Sequence, residues 1–382
     1  MRSSIKNLKK AAIRILKAVN KKEPIILYGD ADLDGAASVV LLKESINSLG
    51  GRVKAIYFPD REFEGYGLTE TSFSYLADKA PALLITVDCG IGNFTEMKKA
   101  KKLGFEVIII DHHEVLGKLP EAKIIVDPKQ KGDKYPFKGL AAVGVVFKLV
   151  QLLFKGKIAK SLEENFLELV ALATIADMMP RESDNLLFIE KGLAPLERSL
   201  RPGLKVFFGL EVFDEDSNLQ EKVSKIVSLL NVRDVKERLP ASFRLLTAPS
   251  LPEAKKIVKT LLRKQEVRKK KIGETVEEVE DRLVELDKPI IFEGAENFDL
   301  TLLSTVASII SRRYKKATFL YKKMKTETQG TVRSPSTVDV IKLMKKCSKY
   351  PLTYGGHAQA AGFRIKNENL EKFKKCLIKN AQ

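Results

Sequence analysis

The sequence predicts an α/β protein: a mostly parallel sheet with helices on both faces, then a long helical connector, then a smaller α/β domain. Three observations carry this. Four short apolar runs follow one another closely, each ending in polar or glycine-rich residues. Apolar residues at helical spacing fill the gaps between the first three runs, the signature of strands buried on both faces. A long, highly charged helical stretch then precedes a strongly basic C-terminal segment. The 382 residues divide on this reading into 1–200, 201–287 and 288–382.

Taken in order, Ile5, Leu8, Ala12, Ile15, Leu16 and Val19 repeat at helical spacing and predict a first helix packed on the domain. The apolar runs are 24–28, 82–87, 107–110 and 123–126, with helices over 36–49 and 94–103. Residues 140–176 read as helices. Residues 249–287 read as one helix, or as two with a break near Gly273. Bases crowd its first half and acids its second, against the order the helix dipole favours, which suits a connector rather than a self-sufficient helix. A second α/β unit follows from Lys288.

Composition narrows the function. A hydrophobic fraction of 44% beside 30% charged residues describes a globular chain, and no apolar run is long enough to span a bilayer. Cys89, Cys347 and Cys376 are far apart and form no Cys-x-x-Cys pair, which excludes a disulfide scaffold and a zinc knuckle and points to the cytoplasm. The net charge is +18, and residues 301–382 hold 18 Lys and Arg against four acids. A field of that kind attracts polyanions.

The residues after each apolar run carry the chemistry. Asp30, Asp32, Asp34 and Gly35 follow the first run, Asp88-Cys89-Gly90 the second, and Asp111-His112-His113 the third, while Asp177 ends an apolar helical stretch. Side chains at the carboxyl ends of parallel strands converge on one crevice. Crowded carboxylates need a cation, and aspartates with one or two imidazoles suit Mn²⁺ or Mg²⁺. So many ligands suit a pair of ions, the usual equipment for phosphate-ester hydrolysis. Asp30-x-Asp32-x-Asp34-Gly35 imitates a calcium EF-hand loop, but Leu41 occupies the position that requires a bidentate Glu. Helix capping explains any one of these aspartates, but not the whole set beside a His-His pair. No Walker motif occurs, and Thr95 stands where a dinucleotide fingerprint needs its third glycine.

In this order the motifs Asp-x-Asp-x-Asp-Gly, Asp-Cys-Gly, Asp-His-His and Ile-Ala-Asp-Met-Met-Pro resemble the DHH phosphoesterases. Gly355-Gly356-His357 resembles the corresponding motif of the DHHA1 domain. Within that superfamily the chain is most similar to RecJ-type single-strand exonucleases, of a compact archaeal kind with no OB-fold domain. The resemblance implies Asp32, Asp34, Asp88, His112 and Asp177 as metal ligands, with Asp88 bridging two ions. It implies Asp30 beside them, Asp111 orienting His112, and His113 on the scissile phosphate. It further implies that Arg333, Ser334, Gly355, Gly356 and His357 hold the substrate strand. Tyr28 stands where some branches carry a metal-binding His.

The reading reached is a Mn²⁺- or Mg²⁺-dependent phosphodiesterase acting on single-stranded DNA and/or RNA, by two-metal hydrolysis in a cleft between domains. Its rivals are a phosphodiesterase for short oligonucleotides or cyclic dinucleotides, and a scaffold in a replication or RNA-processing assembly. Such an assembly would also supply the partner protein of a nuclease.

Overall fold

Successive side chains of a strand point to opposite faces, so a strand covered on both sides must be apolar throughout. In the computed structural model, which describes residues 4–61, 63–115, 117–209, 217–283, 287–335 and 337–381, this requirement explains the first sheet. Its strands are β1 (Ile25–Gly29), β2 (Val53–Tyr57), β3 (Ala82–Val87), β4 (Phe105–Ile110) and β5 (Ile124–Val126), all parallel and ordered β2-β1-β3-β4-β5. Ile25, Leu27, Leu83, Ile85, Val87, Ile108 and Ile110 enter one core, against the helices Leu8–Asn20, Leu33–Ser48, Ala142–Leu153 and Lys160–Ala176. Ile26, Tyr28, Leu84, Val107 and Ile109 enter a second core, with Phe73 and Met97 of the helices Glu70–Leu76 and Phe94–Lys102. The predicted α/β class is therefore present. The strand the apolar runs did not announce is β2, an edge strand only partly buried and interrupted by exposed Lys54.

The winding of the sheet places the site. The chain lays β2 on one side of β1 and every later strand on the other, so the loops after β1 and β3 diverge and leave a crevice at their carboxyl ends. Asp30 follows β1, Asp88 follows β3 and Asp111 follows β4.

Beyond residue 200 the first unit continues through the helices Pro202–Phe208, Leu219–Leu230 and Ala241–Leu246 and a short hairpin, β6 (Val235–Lys236) with β7 (Leu239–Pro240). The helix Leu251–Asp281 then runs through Gly273 unbroken, a single glycine costing a helix only about 1 kcal/mol. Residues 284–286, at the expected end of the connector, lie outside the described residues. The chain forms two compact units, Met1–Arg263 and Lys264–Gln382. The division falls within this helix: Ala254, Val258 and Leu261 belong to the first unit's core, Val276 and Val279 to the second's.

The second unit is built on β8 (Ile290–Ala295), β9 (Ala317–Lys323), β10 (Glu327–Arg333), β11 (Pro351–His357) and β12 (Ala360–Lys366), ordered β11-β12-β10-β9-β8. Only β8 and β9 pair in parallel. The helix Leu300–Tyr314 covers one face, and Val340–Lys346 and Leu370–Asn380 cover the other. A disulfide joins Cys347 to Cys376 across Cα atoms 6.0 Å apart, pinning the end of Val340–Lys346 to Leu370–Asn380. The cysteine spacing excluded a disulfide scaffold but did not announce this one bridge, between residues that share no motif. Among the described residues no helix is long and apolar enough to cross a membrane.

Candidate metal centre

Three strand ends and one helix end deliver the acidic side chains. Asp30 caps β1, and its loop turns back so tightly that a Cβ on Gly35 would lie 2.3 Å from the Asp30 carbonyl oxygen, which leaves room only for glycine. Asp34, in the first turn of the helix Leu33–Ser48, accepts from the amides of Ala142 (2.7 Å) and Val143 (2.8 Å). These are unpaired donors at the start of the helix Ala142–Leu153, so a helix N-terminus fixes the carboxylate. Asp88 sits at φ 60, a left-handed conformation that costs a non-glycine residue about 1–3 kcal/mol. Its amide donates to Ile110 O (3.0 Å), which pins that conformation. Asp177 is the C-cap of Lys160–Ala176.

These groups meet at one atom. Nε2 of His112 lies 3.2 Å from Asp88 Oδ1, 3.5 Å from Asp177 Oδ2 and 3.8 Å from Asp34 Oδ2. His112, Asp34 and Asp88 are buried. Burial and the neighbouring His113 push the His112 pKa down to about 4, so at neutral pH the imidazole is uncharged and these approaches are not ion pairs. Burial and the Asp177 charge hold Asp34 well above the usual carboxylate range, and burial and the Asp34 charge do the same to Asp88. Burial and Asp32 push Asp177 up to about 6. Asp88 Oδ1, Asp177 Oδ2 and Nε2 of His112 are buried without a hydrogen-bond partner among the described residues. Orphaned acceptors facing a neutral imidazole are what a divalent cation satisfies. Among the described residues, three groups have ligand atoms close enough to share an ion: Asp88–His112–His113, Asp34–His112–Asp177 and Asp30–Asp32–Asp88.

The third group is engaged differently. Arg61 donates to both oxygens of Asp30, through Nε at 2.6 Å to Oδ1 and through its terminal nitrogen to Oδ2, and that nitrogen also reaches Asp32 Oδ2 at 2.9 Å. The other oxygen of Asp32 accepts from the Gly35 amide (3.0 Å) and caps the helix. Asp32, expected as a ligand, thus caps a helix and pairs with an arginine while remaining within reach of a shared ion with Asp30 and Asp88. Asp111, expected to orient His112 through a ring nitrogen, makes its ring contact elsewhere. Its Oδ1 instead accepts from Nδ1 of His113 (2.7 Å) and from the backbone of His112 (2.8 Å), while Oδ2 accepts from Ile91 N (3.0 Å). Burial opposes a charge on either partner, but their bond and mutual attraction prevail, holding Asp111 below its ordinary value and raising His113.

Arg61 and Tyr66 were not foreseen. The Tyr66 hydroxyl donates to Asp88 O (2.9 Å) and lies 3.2 Å from His113 Nδ1. Both residues sit in an irregular loop after β2, whose lack of periodicity gave no signal. Tyr28, by contrast, points away from the centre: it stacks on Tyr57 and donates to Gly67 O (2.8 Å).

In the second unit the strand register collects the remaining predicted residues. Arg333 of β10 pairs with Ala360 of β12, which pairs with His357 of β11, so all three share one face. Thr331, Gly362 and Gly355 form the next row, a floor without bulk. Gly356 is at φ 135, where a Cβ would meet Ala360 O at 2.3 Å. Arg333 donates to Ser304 Oγ, to Thr331 Oγ1 (3.2 Å) and to its neighbour's carbonyl, and has no carboxylate partner among the described residues. Ser334 is turned aside, donating to Val338 O (3.0 Å).

Residues 24–174 match the DHH family, N-terminal domain, and residues 287–382 match the DHHA1 domain. The single-stranded-DNA-specific exonuclease RecJ of Bacillus subtilis is 34% identical over 371 residues, covering 96% of this chain and 46% of the relative. This chain thus spans about half the length of that relative. A crystal structure of exonuclease RecJ bound to manganese superposes with a TM-score of 0.81 at 25% identity, covering 100% of this chain and 96% of that one. RecJ from Thermus thermophilus in complex with Mn²⁺ superposes at 0.79, with 24% identity and 55% of its chain covered.

The crowding has a measurable sign. A carboxyl whose folded pKa is raised contributes most below its unfolded pKa of about 3.9 and loses that contribution as pH rises through the folded value. In metal-free protein, Asp177→Asn should therefore gain stability over the parent as pH rises from about 4 to about 6, and Mn²⁺ at about 100 times its Kd should stabilise the parent by about 2.7 kcal/mol. Thermal melts across pH, with and without Mn²⁺, check both; a constant difference and a melting point indifferent to Mn²⁺ would contradict the site.

Proposed function

We propose that this chain, which belongs to the DHH/DHHA1 phosphoesterase family, is a metal-dependent phosphodiesterase acting as a single-strand-specific exonuclease on DNA and/or RNA. The observation that carries the reading is the buried meeting of Asp34, Asp88 and Asp177 on His112 Nε2, with acceptor atoms left unused. Asp34, Asp88, His112 and Asp177 would hold Mn²⁺ or Mg²⁺, and Asp88, common to two of the candidate groups, would serve a pair of ions toward Asp30 and Asp32. Ions of this class lower the pKa of water and neutralise charge on a phosphate. The named activity of the curated relative and the manganese in the related structure support substrate and metal alike.

The protein's own groups divide the remaining work. Asp111 holds the His113 ring and favours its protonated form, so that its free Nε2 can donate a charge-assisted hydrogen bond to a phosphate oxygen. Arg333, without a carboxylate partner among the described residues, grips a phosphate, and the Gly355–Gly362 floor lets the strand lie close to backbone. The basic excess of residues 301–382 draws the polyanion in. The same reading puts the protein in the cytoplasm, with a partner from replication or RNA processing.

Digestion of end-labelled single-stranded DNA and RNA with Mn²⁺, Mg²⁺ or chelator tests the activity. Stepwise shortening that requires metal is expected; no shortening of either polymer would overturn the reading. Asp88→Asn and His112→Ala should each lower kcat by roughly a thousandfold or more while circular dichroism stays parental, and near-parental rates would remove these residues from the centre. Arg333→Ala should weaken binding to a strand of about 20 nucleotides and lower the slope of log affinity against log salt by about 1. An unchanged slope, or a dinucleotide hydrolysed faster than the strand, would favour the short-substrate alternative.

A further inference from the structure

A helix that ends in a Schellman turn puts the residue after its cap in the left-handed region, where glycine is preferred because it has no Cβ. The helix Lys160–Ala176 ends in this way: the Met178 amide donates to Ile175 O at 3.1 Å, and the Met179 amide to Thr174 O at 3.2 Å. Yet the left-handed position, at φ 54, holds Met178. Its side chain is 86% exposed. Both facts count against methionine there if stability alone decided. The residue before it, Asp177, puts an oxygen 3.5 Å from His112 Nε2.

The next most exposed large apolar side chain among the described residues is Phe63, at 84%. It lies in the loop between Arg61, which holds Asp30 and Asp32, and Tyr66, which contacts Asp88 and His113. Its amide donates to Asp60 O at 3.1 Å. The two most exposed large apolar side chains among the described residues thus both adjoin, in sequence, groups of the metal centre.

We infer that Met178 and Phe63 supply the apolar contact for the base of the nucleotide being removed. The inference rests on the nuclease reading above. Asp30, Asp32 and Arg61 are engaged with one another and Asp111 with amides and the His113 ring, so a base, the large apolar surface of a nucleotide, is best met by side chains beside them. An aromatic ring and a flexible thioether pack against the face of any base, so the contact selects for the presence of a base and not for its identity.

The test uses the full chain with Mn²⁺ and two strands of one sequence, the second carrying a tetrahydrofuran (abasic) nucleotide at the end attacked. The parent should prefer the intact strand by about tenfold in kcat/KM, within the range expected of one stacked base. Met178→Gly should bring that ratio toward one while leaving the melting temperature equal or higher, because glycine relieves the left-handed backbone. Phe63→Ala should also lower the ratio. Equal rates on the two strands in the parent, or a parental ratio in both variants, overturn this inference alone. Degradation of neither strand overturns the nuclease reading, and the inference with it.

Discussion

Asp34, Asp88 and Asp177 each aim an oxygen at Nε2 of His112 within a crevice that keeps the imidazole uncharged. Water solvates this cluster poorly, so the acids repel one another and their pKa values rise. The arrangement is costly as a metal-free structure and favourable around a divalent cation. The rest of the first unit can be understood as the means of holding it together.

Each carboxylate is fixed by backbone rather than by another side chain's charge. A helix N-terminus binds both oxygens of Asp34, a left-handed backbone aims Asp88, and a helix C-cap presents Asp177. Asp111 spends its oxygens on amides and on the ring of His113, and so acts one step removed. Arg61 supplies positive charge to Asp30 and Asp32, where a second ion would otherwise have to balance them alone. Removing water and supplying oriented donors before substrate arrives is how such sites save reorganisation during reaction.

Much of this was legible in the sequence because strand ends are marked twice, by the end of an apolar run and by the polar residues that follow. That is why Asp30, Asp88, Asp111 and His112 could be assembled from residues far apart. The charged helix was legible as a stretch, but whether Gly273 would break it was not; it runs through unbroken as Leu251–Asp281. What stayed hidden lacked periodicity or depended on tertiary register. The half-exposed β2 gave too weak an apolar run, and Arg61 and Tyr66 sit in an irregular loop. Sequence could not tell whether Asp111 would face the first or second histidine, nor that Cys347 and Cys376, 29 residues apart, would meet.

The claim beneath the account is that these groups form a cation cage. Anomalous diffraction at the manganese edge, from crystals grown with Mn²⁺, tests it most directly. The account predicts strong peaks within coordination distance of Asp34, Asp88, His112 and Asp177. Featureless density there, with manganese bound only elsewhere on the surface, would contradict it.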